Sequence, residues 1–236
     1  MKRYLGLLVL SLAACSTQTP QPTITHRSPS LPQPSKMVVK IKQQPEDYIV
    51  WIATADHRQS VQAYKQFLKQ KGLADLVPDH ELLRSARDWQ KCGVEPYAVP
   101  PREIWSNIVP TLNILKALVD DGVINDFEVT SVYRALALNR CAGGADASRH
   151  VFNAALDFRI GPEQPSDLDQ FNIQQTKTKL CQFWATKGQA FNMGLGVYAS
   201  GQIHIDSQGF RAWGPDHHYR TSICQGTIKA TFSKTK

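Results

Sequence analysis

One stretch of the chain combines two side chains that can bind a metal ion. His150 leaves a loop that contains Gly143 and Gly144, and Asp157 follows seven residues later on a predicted strand. A neutral imidazole and a carboxylate are nitrogen and oxygen donors that suit Zn²⁺. Taken alone, this spacing is more typical of a surface pair, so a further donor is needed before a metal site is indicated.

A second stretch, Gln202–Ser207, alternates polar and apolar residues as a β-strand does. Side chains at positions i and i+2 of a strand share a face, so His204 and Asp206 are predicted to point the same way. Ile203 and Ile205 then face the core. Two polar donors on one face of such a strand suit a metal-lined groove, although a solvent-facing pair is the alternative on spacing alone.

Both stretches belong to a longer series of motifs between Pro100 and Trp213. The series is S-x-Y-R ending at Arg134, then Asn139, Gly143-Gly144, S-x-H ending at His150, A-x-D ending at Asp157, G-x-G-x-Y ending at Tyr198, H-x-D ending at Asp206, and Trp213. This order resembles the zinc D-alanyl-D-alanine peptidases, which share a fold with the lysostaphin-type endopeptidases and the hedgehog signalling domain. Several separated motifs in one order are far more specific than either pair of donors.

The resemblance implies that His150, Asp157 and His204 bind one zinc ion and leave a coordination position open for water. Three protein ligands with an open position are typical of a catalytic zinc site. Zinc lowers the pKa of water from about 15.7 to about 7 and polarises a carbonyl group. The expected activity is hydrolysis of peptide bonds in peptidoglycan stem peptides, by a D-Ala-D-Ala carboxypeptidase or a murein endopeptidase.

The resemblance also implies roles for residues that do not bind the metal. Arg134 matches an arginine of the family and is expected to reach the carbonyl or carboxylate of the substrate, which suits its fixed charge and planar shape. A structural salt bridge is the alternative for this residue. Ser148 and Tyr198 match positions near the site and are expected to contact the substrate. For Ser148 a contact to a metal ligand is the alternative, and neither role is that of a nucleophile.

Some positions depart from the family pattern. Related dipeptidases have a glutamate as general base three residues before the last histidine, but Gly201 stands there. Asp206 is the nearest substitute, and it either acts as the base or orients the histidine. Asn153 replaces a family glycine, and we expect the turn to survive because asparagine readily adopts positive φ. His217 and His218 match nothing in the pattern; they line the cleft, accept a proton or, more commonly for such residues, lie on the surface.

The N-terminus has the features of a bacterial lipoprotein signal. Lys2 and Arg3 precede an apolar run that is too short to span a bilayer, so residues 1–14 are predicted to be a signal peptide. Cys15 follows small residues and resembles the lipidated cysteine of a lipobox, which implies a lipid-anchored protein facing the periplasm. Ser16 after it implies passage to the outer membrane.

Composition indicates how the rest of the chain is organised and which partners it has. Residues 15–45, rich in Pro, Ser and Thr, are predicted to be a disordered tether, followed by a helical part over 46–99 and the peptidase domain over 100–236. The formal charge is +7, but Lys and Arg are scattered and form no basic-aromatic motif, so no nucleic-acid partner is expected. We expect a monomer that acts on peptidoglycan and contacts the membrane through its lipid.

Apolar periodicity predicts an α+β fold, with a small antiparallel sheet and flanking helices. The predicted helices are Gln59–Lys71, Asp79–Gln90, one within Asp167–Lys187, and Arg102–Asp120, which Pro110 kinks or splits. The predicted strands are Asp126–Val132, Ala154–Ile160, Met193–Tyr198, Gln202–Ser207 and, as a strand or extended segment, Tyr48–Ala53.

Four cysteines besides Cys15 are an even number, which favours disulfides in an exported protein. Three pairings are possible, and we favour Cys92 with Cys141 and Cys181 with Cys224.

Two other functions remain compatible with the sequence. The chain could be a lipoprotein that keeps the groove, binds peptidoglycan and does no chemistry, which the absence of a glutamate at position 201 favours. It could also be a structural envelope lipoprotein that binds no metal.

Overall fold

The structure, a computed structural model, describes residues 42–227, so the predicted signal peptide, Cys15 and most of the tether lie outside the described residues. The strands of this part are β1 (Glu128–Ser131), β2 (Ala155–Arg159), β3 (Gly194–Val197), β4 (Gln202–Asp206) and β5 (Arg211–Trp213). They form one sheet in the order β1-β2-β4-β3-β5, in which only β3 and β5 are parallel.

Helices flank the sheet and confirm the predicted α+β fold class. The α-helices of the described part are α1 (Glu46–Ala53), α2 (His57–Gln70), α3 (Asp79–Leu82), α4 (Ile108–Asp120), α5 (Leu136–Cys141) and α6 (Asp167–Lys187). Short 3-10 helices span Arg102–Asn107 and Tyr219–Thr221. Between residues 42 and 227, no helix is long and apolar enough to cross a membrane.

The apolar face of the sheet forms the core. Ile203 and Ile205 of β4 are fully buried, as the alternation of that strand predicted, and their antiparallel partners on β2 are Phe158 and Leu156. The buried stripe of α4 belongs to the same apolar cluster. Because successive strand residues alternate between faces, the intervening residues of β2 and β4 must lie on the opposite face.

The prediction of an extended segment at Tyr48–Ala53 is wrong, because these residues form most of helix α1. Tyr48 and Trp51 are buried, whereas Ile49 and Val50 between them are 52% and 60% exposed. Burial every third residue is the pattern of a helix. The apolar run concealed this period because exposed apolar side chains cannot be distinguished from core residues in sequence.

The helix predicted over Asp79–Gln90 is too long, since α3 ends at Leu82. Beyond it the backbone pairs with a distant segment: the Ala98 N–H donates to the Leu83 carbonyl, and the Ser85 N–H donates to the Pro96 carbonyl. This pairing uses groups that a longer helix would have bonded internally. A long-range contact has therefore overridden the local helical pattern.

The predicted helix Arg102–Asp120 is split in two, but the second helix begins two residues before Pro110, where the break was expected. A 3-10 helix ends at Asn107 and α4 begins at Ile108, so Pro110 lies in the first turn of α4. Proline is tolerated there because the first N–H groups of a helix have no partner within it. The predicted helices Gln59–Lys71 and Asp167–Lys187 are confirmed as α2 and α6.

Both favoured disulfides are confirmed. Cys92 is bonded to Cys141 at the end of α5, and Cys181 of α6 is bonded to Cys224 near the end of the described chain. The first bond ties the helical N-terminal part to the segment that leads to His150. The second ties the C-terminal loop to α6.

Candidate metal centre

The polar face of the sheet brings three predicted ligands together. Asp157 of β2 stands directly opposite His204 of β4, and His150 reaches them from the preceding loop. His204 Nδ1 lies 2.8 Å from Asp157 Oδ1, and His150 Nε2 lies 3.3 Å from each of these two atoms. The three donor atoms thus form a compact triangle.

His150 is oriented by the backbone. Its ring is 3% exposed, and its Nδ1 lies 2.6 Å from the carbonyl oxygen of Val132, which follows β1. A hydrogen bond from Nδ1–H to that carbonyl leaves Nε2 as the free donor atom. The turn after His150 contains Asn153 at φ 51°, so the expectation that asparagine preserves this turn is confirmed.

Asp157 is oriented by Arg134. The Arg134 Nη2–H donates to Asp157 Oδ2 over 2.5 Å, and the Arg134 Nε–H donates to the Ser131 hydroxyl over 2.8 Å. The first and last residues of the S-x-Y-R motif therefore contact each other and direct the guanidinium towards the carboxylate. Arg134 thus forms the structural salt bridge that the sequence allowed as an alternative to a contact with the substrate. The bridge occupies Oδ2 of Asp157 and leaves Oδ1 facing the histidines.

His204 is oriented by Asp206, whose carboxylate Oδ2 lies 3.1 Å from His204 Nε2. Asp206 is fully buried, and the Arg211 guanidinium donates a hydrogen bond to each of its oxygens, over 3.1 and 2.6 Å. The Gln208 N–H also donates to it. A Cβ atom at Gly194, opposite on β3, would lie 2.6 Å from this carboxylate, so only glycine leaves room for it.

The charges of the triad follow from these contacts. Burial lowers the pKa of His150. Burial would raise the pKa of Asp157, but the imidazoles of His150 and His204 outweigh it and hold this pKa well below its usual range. Burial would lower the pKa of His204, but hydrogen bonds to Asp157 and Asp206 raise it to about 9. Burial would also raise the pKa of Asp206, but the hydrogen bond from His204 lowers it, so the carboxylates of Asp157 and Asp206 are both ionised at neutral pH.

An aromatic wall adjoins the triad. The indole of Trp213 lies 5.2 Å from the His204 ring, and its Nε1–H donates to the Tyr198 hydroxyl over 3.1 Å. A Cβ atom at Gly196 would lie 2.7 Å from the indole, which explains the second glycine of the G-x-G-x-Y motif. Burial raises the pKa of Tyr198, and the charges of Asp157 and Arg134 also act on it, so its hydroxyl lies in the electrostatic field of the triad.

The remaining predicted residues occupy less constrained positions. Ser148 lies in the turn before His150, and its hydroxyl has no hydrogen-bond partner within residues 42–227. Gly201 has φ 78°, and a Cβ atom there would lie 2.6 Å from the Ile160 carbonyl oxygen, so this turn excludes a glutamate. His217 and His218 are exposed in the C-terminal loop.

Sequence reasoning missed Arg211 and the carbonyl of Val132. A backbone carbonyl carries no signal in sequence. Arg211, however, precedes Trp213 by two residues, and residues at that spacing on a strand share a face. Recognition of a fifth strand at this point would have placed Arg211 beside the family tryptophan.

The donor set fits zinc. Two imidazole nitrogens and one carboxylate oxygen are common zinc ligands, and at metal–ligand distances of about 2.0–2.2 Å, tetrahedral neighbours are about 3.4 Å apart. The observed separations of 2.8 and 3.3 Å are close to this value. Each ligand also has a second polar atom bonded elsewhere, as zinc ligands in proteins do.

Comparison with known proteins agrees with this geometry. The profile of the Peptidase M15 family matches residues 76–206, a range that contains all three members of the triad. No curated protein and no solved structure matches the chain. Since the profile covers more than half of the sequence, the resemblance proposed from the motifs is confirmed, and the chain belongs to the Peptidase M15 family of zinc D-Ala-D-Ala carboxypeptidase-like proteins.

Proposed function

We propose that this protein is a zinc metallopeptidase that hydrolyses peptide bonds in peptidoglycan stem peptides, as a carboxypeptidase or an endopeptidase. Membership of the family implies peptidase activity. The observation that carries the proposal is the triangle of His150 Nε2, Asp157 Oδ1 and His204 Nδ1, in which no two atoms are more than 3.3 Å apart.

In this proposal His150, Asp157 and His204 hold the ion, which when bound supplies Lewis acidity that activates water and polarises a carbonyl group. Arg134 keeps Asp157 oriented and places a positive charge beside the substrate. Asp206 orients His204 instead of acting as the base, because it is fully buried and both its oxygens are bonded. Tyr198 and Ser148 contact the peptide.

The place of action is part of the same proposal. The cysteine at position 15 anchors the protein through a lipid, and the serine after it directs the anchor to the outer membrane. A tether over residues 15–45 then lets the domain reach peptidoglycan from the periplasmic side. The motif at the N-terminus and the composition of the tether support this placement.

The test is metal analysis of the purified protein combined with mass spectrometry of digested muropeptides. We expect about one zinc per chain, and release of stem-peptide fragments that chelation abolishes. His150→Ala should lose both the metal and the activity. His218→Ala, which removes an exposed histidine, is the matched control and should keep both. Hydrolysis retained by His150→Ala would rule out the assigned site.

A second function, peptidoglycan binding without hydrolysis, is favoured by one observation. Gly201 excludes the usual glutamate, and Asp206 is occupied by four donors, so neither position offers a free carboxylate as base. This alternative predicts that the zinc-loaded protein binds crosslinked and uncrosslinked stem peptides but releases no product from either. Any zinc-dependent turnover by the wild-type protein would exclude it.

A further inference from the structure

His217 lies on the aromatic wall beside the triad. Its ring meets the Tyr198 ring edge to face, with centroids 5.9 Å apart, and Tyr198 in turn bonds the indole that adjoins His204. The wall therefore runs without a gap from a metal ligand to His217. Within residues 42–227 the His217 imidazole has no hydrogen-bond partner, so both ring nitrogens are available to a ligand.

The loop that carries His217 is held in place by several contacts. The His217 N–H donates to the Gly214 carbonyl, and the Gly214 N–H donates to the His218 carbonyl, which closes the loop on itself. A Cβ atom at Gly214 would lie 2.1 Å from the Thr221 carbonyl oxygen, so the loop is tightly packed. The disulfide from Cys224 anchors its far end to α6.

His217 itself has φ 61°, a conformation that side chains other than glycine seldom adopt. Glycine would fit this position without strain. The sequence nevertheless has a histidine there, and the strained backbone directs its ring to the wall. Backbone strain of this kind is enriched at ligand-binding sites.

The charges of the loop suit an anion. Its one carboxylate between Gly214 and Thr221, that of Asp216, already accepts hydrogen bonds from the His218 N–H and the Thr221 hydroxyl. Arg220 Nε lies 3.8 Å from Asp216 Oδ2, so a cationic side chain offsets the charge of this carboxylate beside His217. An imidazole can donate to a carboxylate, and hydrogen bonds to charged groups are stronger than neutral ones.

We propose that His217 is a substrate-binding residue that donates a hydrogen bond to a carboxylate of the peptide. This inference rests on the proposed function, since the peptide is the one held at the triad. It assigns His217 to recognition of one carboxylate some distance along the wall from the metal. The carboxylate is either the C-terminal group of the peptide or one on a side chain.

The test measures equilibrium binding of non-cleavable stem peptides to the full-length, zinc-loaded protein by calorimetry. Three peptides are compared: one with all carboxylates free, one amidated at the C-terminus, and one amidated on its side chains. The variants are His217→Gly, which fits the backbone, and His218→Ala as the matched control. His218 is a suitable control because its Nδ1 bonds the Asp216 carbonyl within the loop.

In the wild-type protein, one of the two amidated peptides should bind about 10-fold or more weakly than the free acid, and that peptide identifies the carboxylate. His217→Gly should lose about the same factor for the free acid and bind all three peptides equally. It should keep its zinc content and its melting temperature. His218→Ala should behave like the wild-type protein.

The inference would be overturned by an affinity of His217→Gly for the free acid equal to that of the wild-type protein, or by a weakening that is equal for all three peptides. Absence of peptide binding by the wild-type protein would also overturn it. Turnover of a cleavable peptide is measured separately. A wild-type protein that binds with this selectivity but does not hydrolyse would refute the peptidase activity and leave the recognition by His217 intact.

Discussion

The two histidines of the triad are held in different ways. His150 bonds a backbone carbonyl, that of Val132, which is present whatever side chain stands there. His204 bonds the carboxylate of Asp206, whose position depends on the side chain of Arg211 and on the absence of one at Gly194. We therefore expect the half around His150 to tolerate substitution of the residue that orients it, and the half around His204 to be sensitive to such a substitution.

The largest effect is expected from Asp157, which contacts both halves. Asp157→Ala should lower zinc affinity more than 100-fold, because loss of an outer partner alone costs about 10- to 100-fold. It should also lower the free energy of unfolding of the metal-free protein by about 3 kcal/mol, since Arg134 loses its partner. Competition with a chromophoric chelator measures the first quantity and urea denaturation the second. Unchanged zinc affinity would contradict the assignment.

The half around His204 should respond next. We expect Asp206→Asn to lower zinc affinity about 10- to 100-fold, because His204 loses the charged partner that orients it. Arg211→Gln should produce a smaller loss in the same direction. The double variant should be little worse than Asp206→Asn, because the arginine acts through the aspartate. Arg58→Gln, at an exposed position on α2, is the control. Additive losses would show that Arg211 acts independently.

In the half around His150, a substitution is expected to change stability without changing zinc affinity. Val132→Ala removes methyl groups from a residue that is 1% exposed and should lower the free energy of unfolding by about 2 kcal/mol. Its carbonyl remains, so zinc affinity should not change. Chemical denaturation and the same chelator competition test this. A fall in zinc affinity comparable to that of Asp206→Asn would refute the distinction between the two halves.

The smallest effect, a change in stability with pH, is expected from Lys177, which lies behind the turn that leads into β4. Lys177 of α6 is 2% exposed and donates to the Ala199 carbonyl, and burial lowers its pKa from the usual 10.5. The unfolded chain therefore binds this proton more tightly than the folded chain does. As pH rises from the lowered pKa towards 10.5, the cost of burying the charged lysine is relieved and the free energy of unfolding increases. Lys177→Met should lack that gain.

Urea denaturation of both proteins from neutral pH to pH 10.5 measures this gain. The stability of the wild-type protein relative to Lys177→Met should increase through that interval. Titration of the buried tyrosines is common to both proteins and cancels in the comparison. A constant difference would show that Lys177 does not titrate in the folded state as its burial indicates.

Local patterns predicted strands β1 to β4 and helix α6, but not β5, which carries Arg211. The alternation in Gln202–Ser207 was sufficient to place His204 and Asp206 on one face, and the helix predicted within Asp167–Lys187 is confirmed as α6. The same reasoning missed α1 and predicted too long a helix at α3, because exposed apolar residues and a long-range backbone pairing are invisible to a local pattern. These errors lie outside the metal centre.

Asp206 illustrates what the sequence cannot predict, namely whether this residue acts as the base or orients His204. Its type and its position beside His204 are evident in sequence, and both roles suit a carboxylate. Only the packing of Arg211, Gln208 and Gly194 around it removes its free oxygens. The role of such a residue depends on which donors surround it, and Arg211, which donates to both its oxygens, comes from another strand.

By itself, the sequence determined the donor types, their order and the face of each strand that carries them. These features follow from side-chain chemistry and from the two-residue period of a strand. The tertiary structure decided that His150, Asp157 and His204 converge, because antiparallel pairing of β2 with β4 sets Asp157 opposite His204. It also decided which groups orient them, since hydrogen bonds depend on distances of a few ångströms between segments that are far apart in the chain.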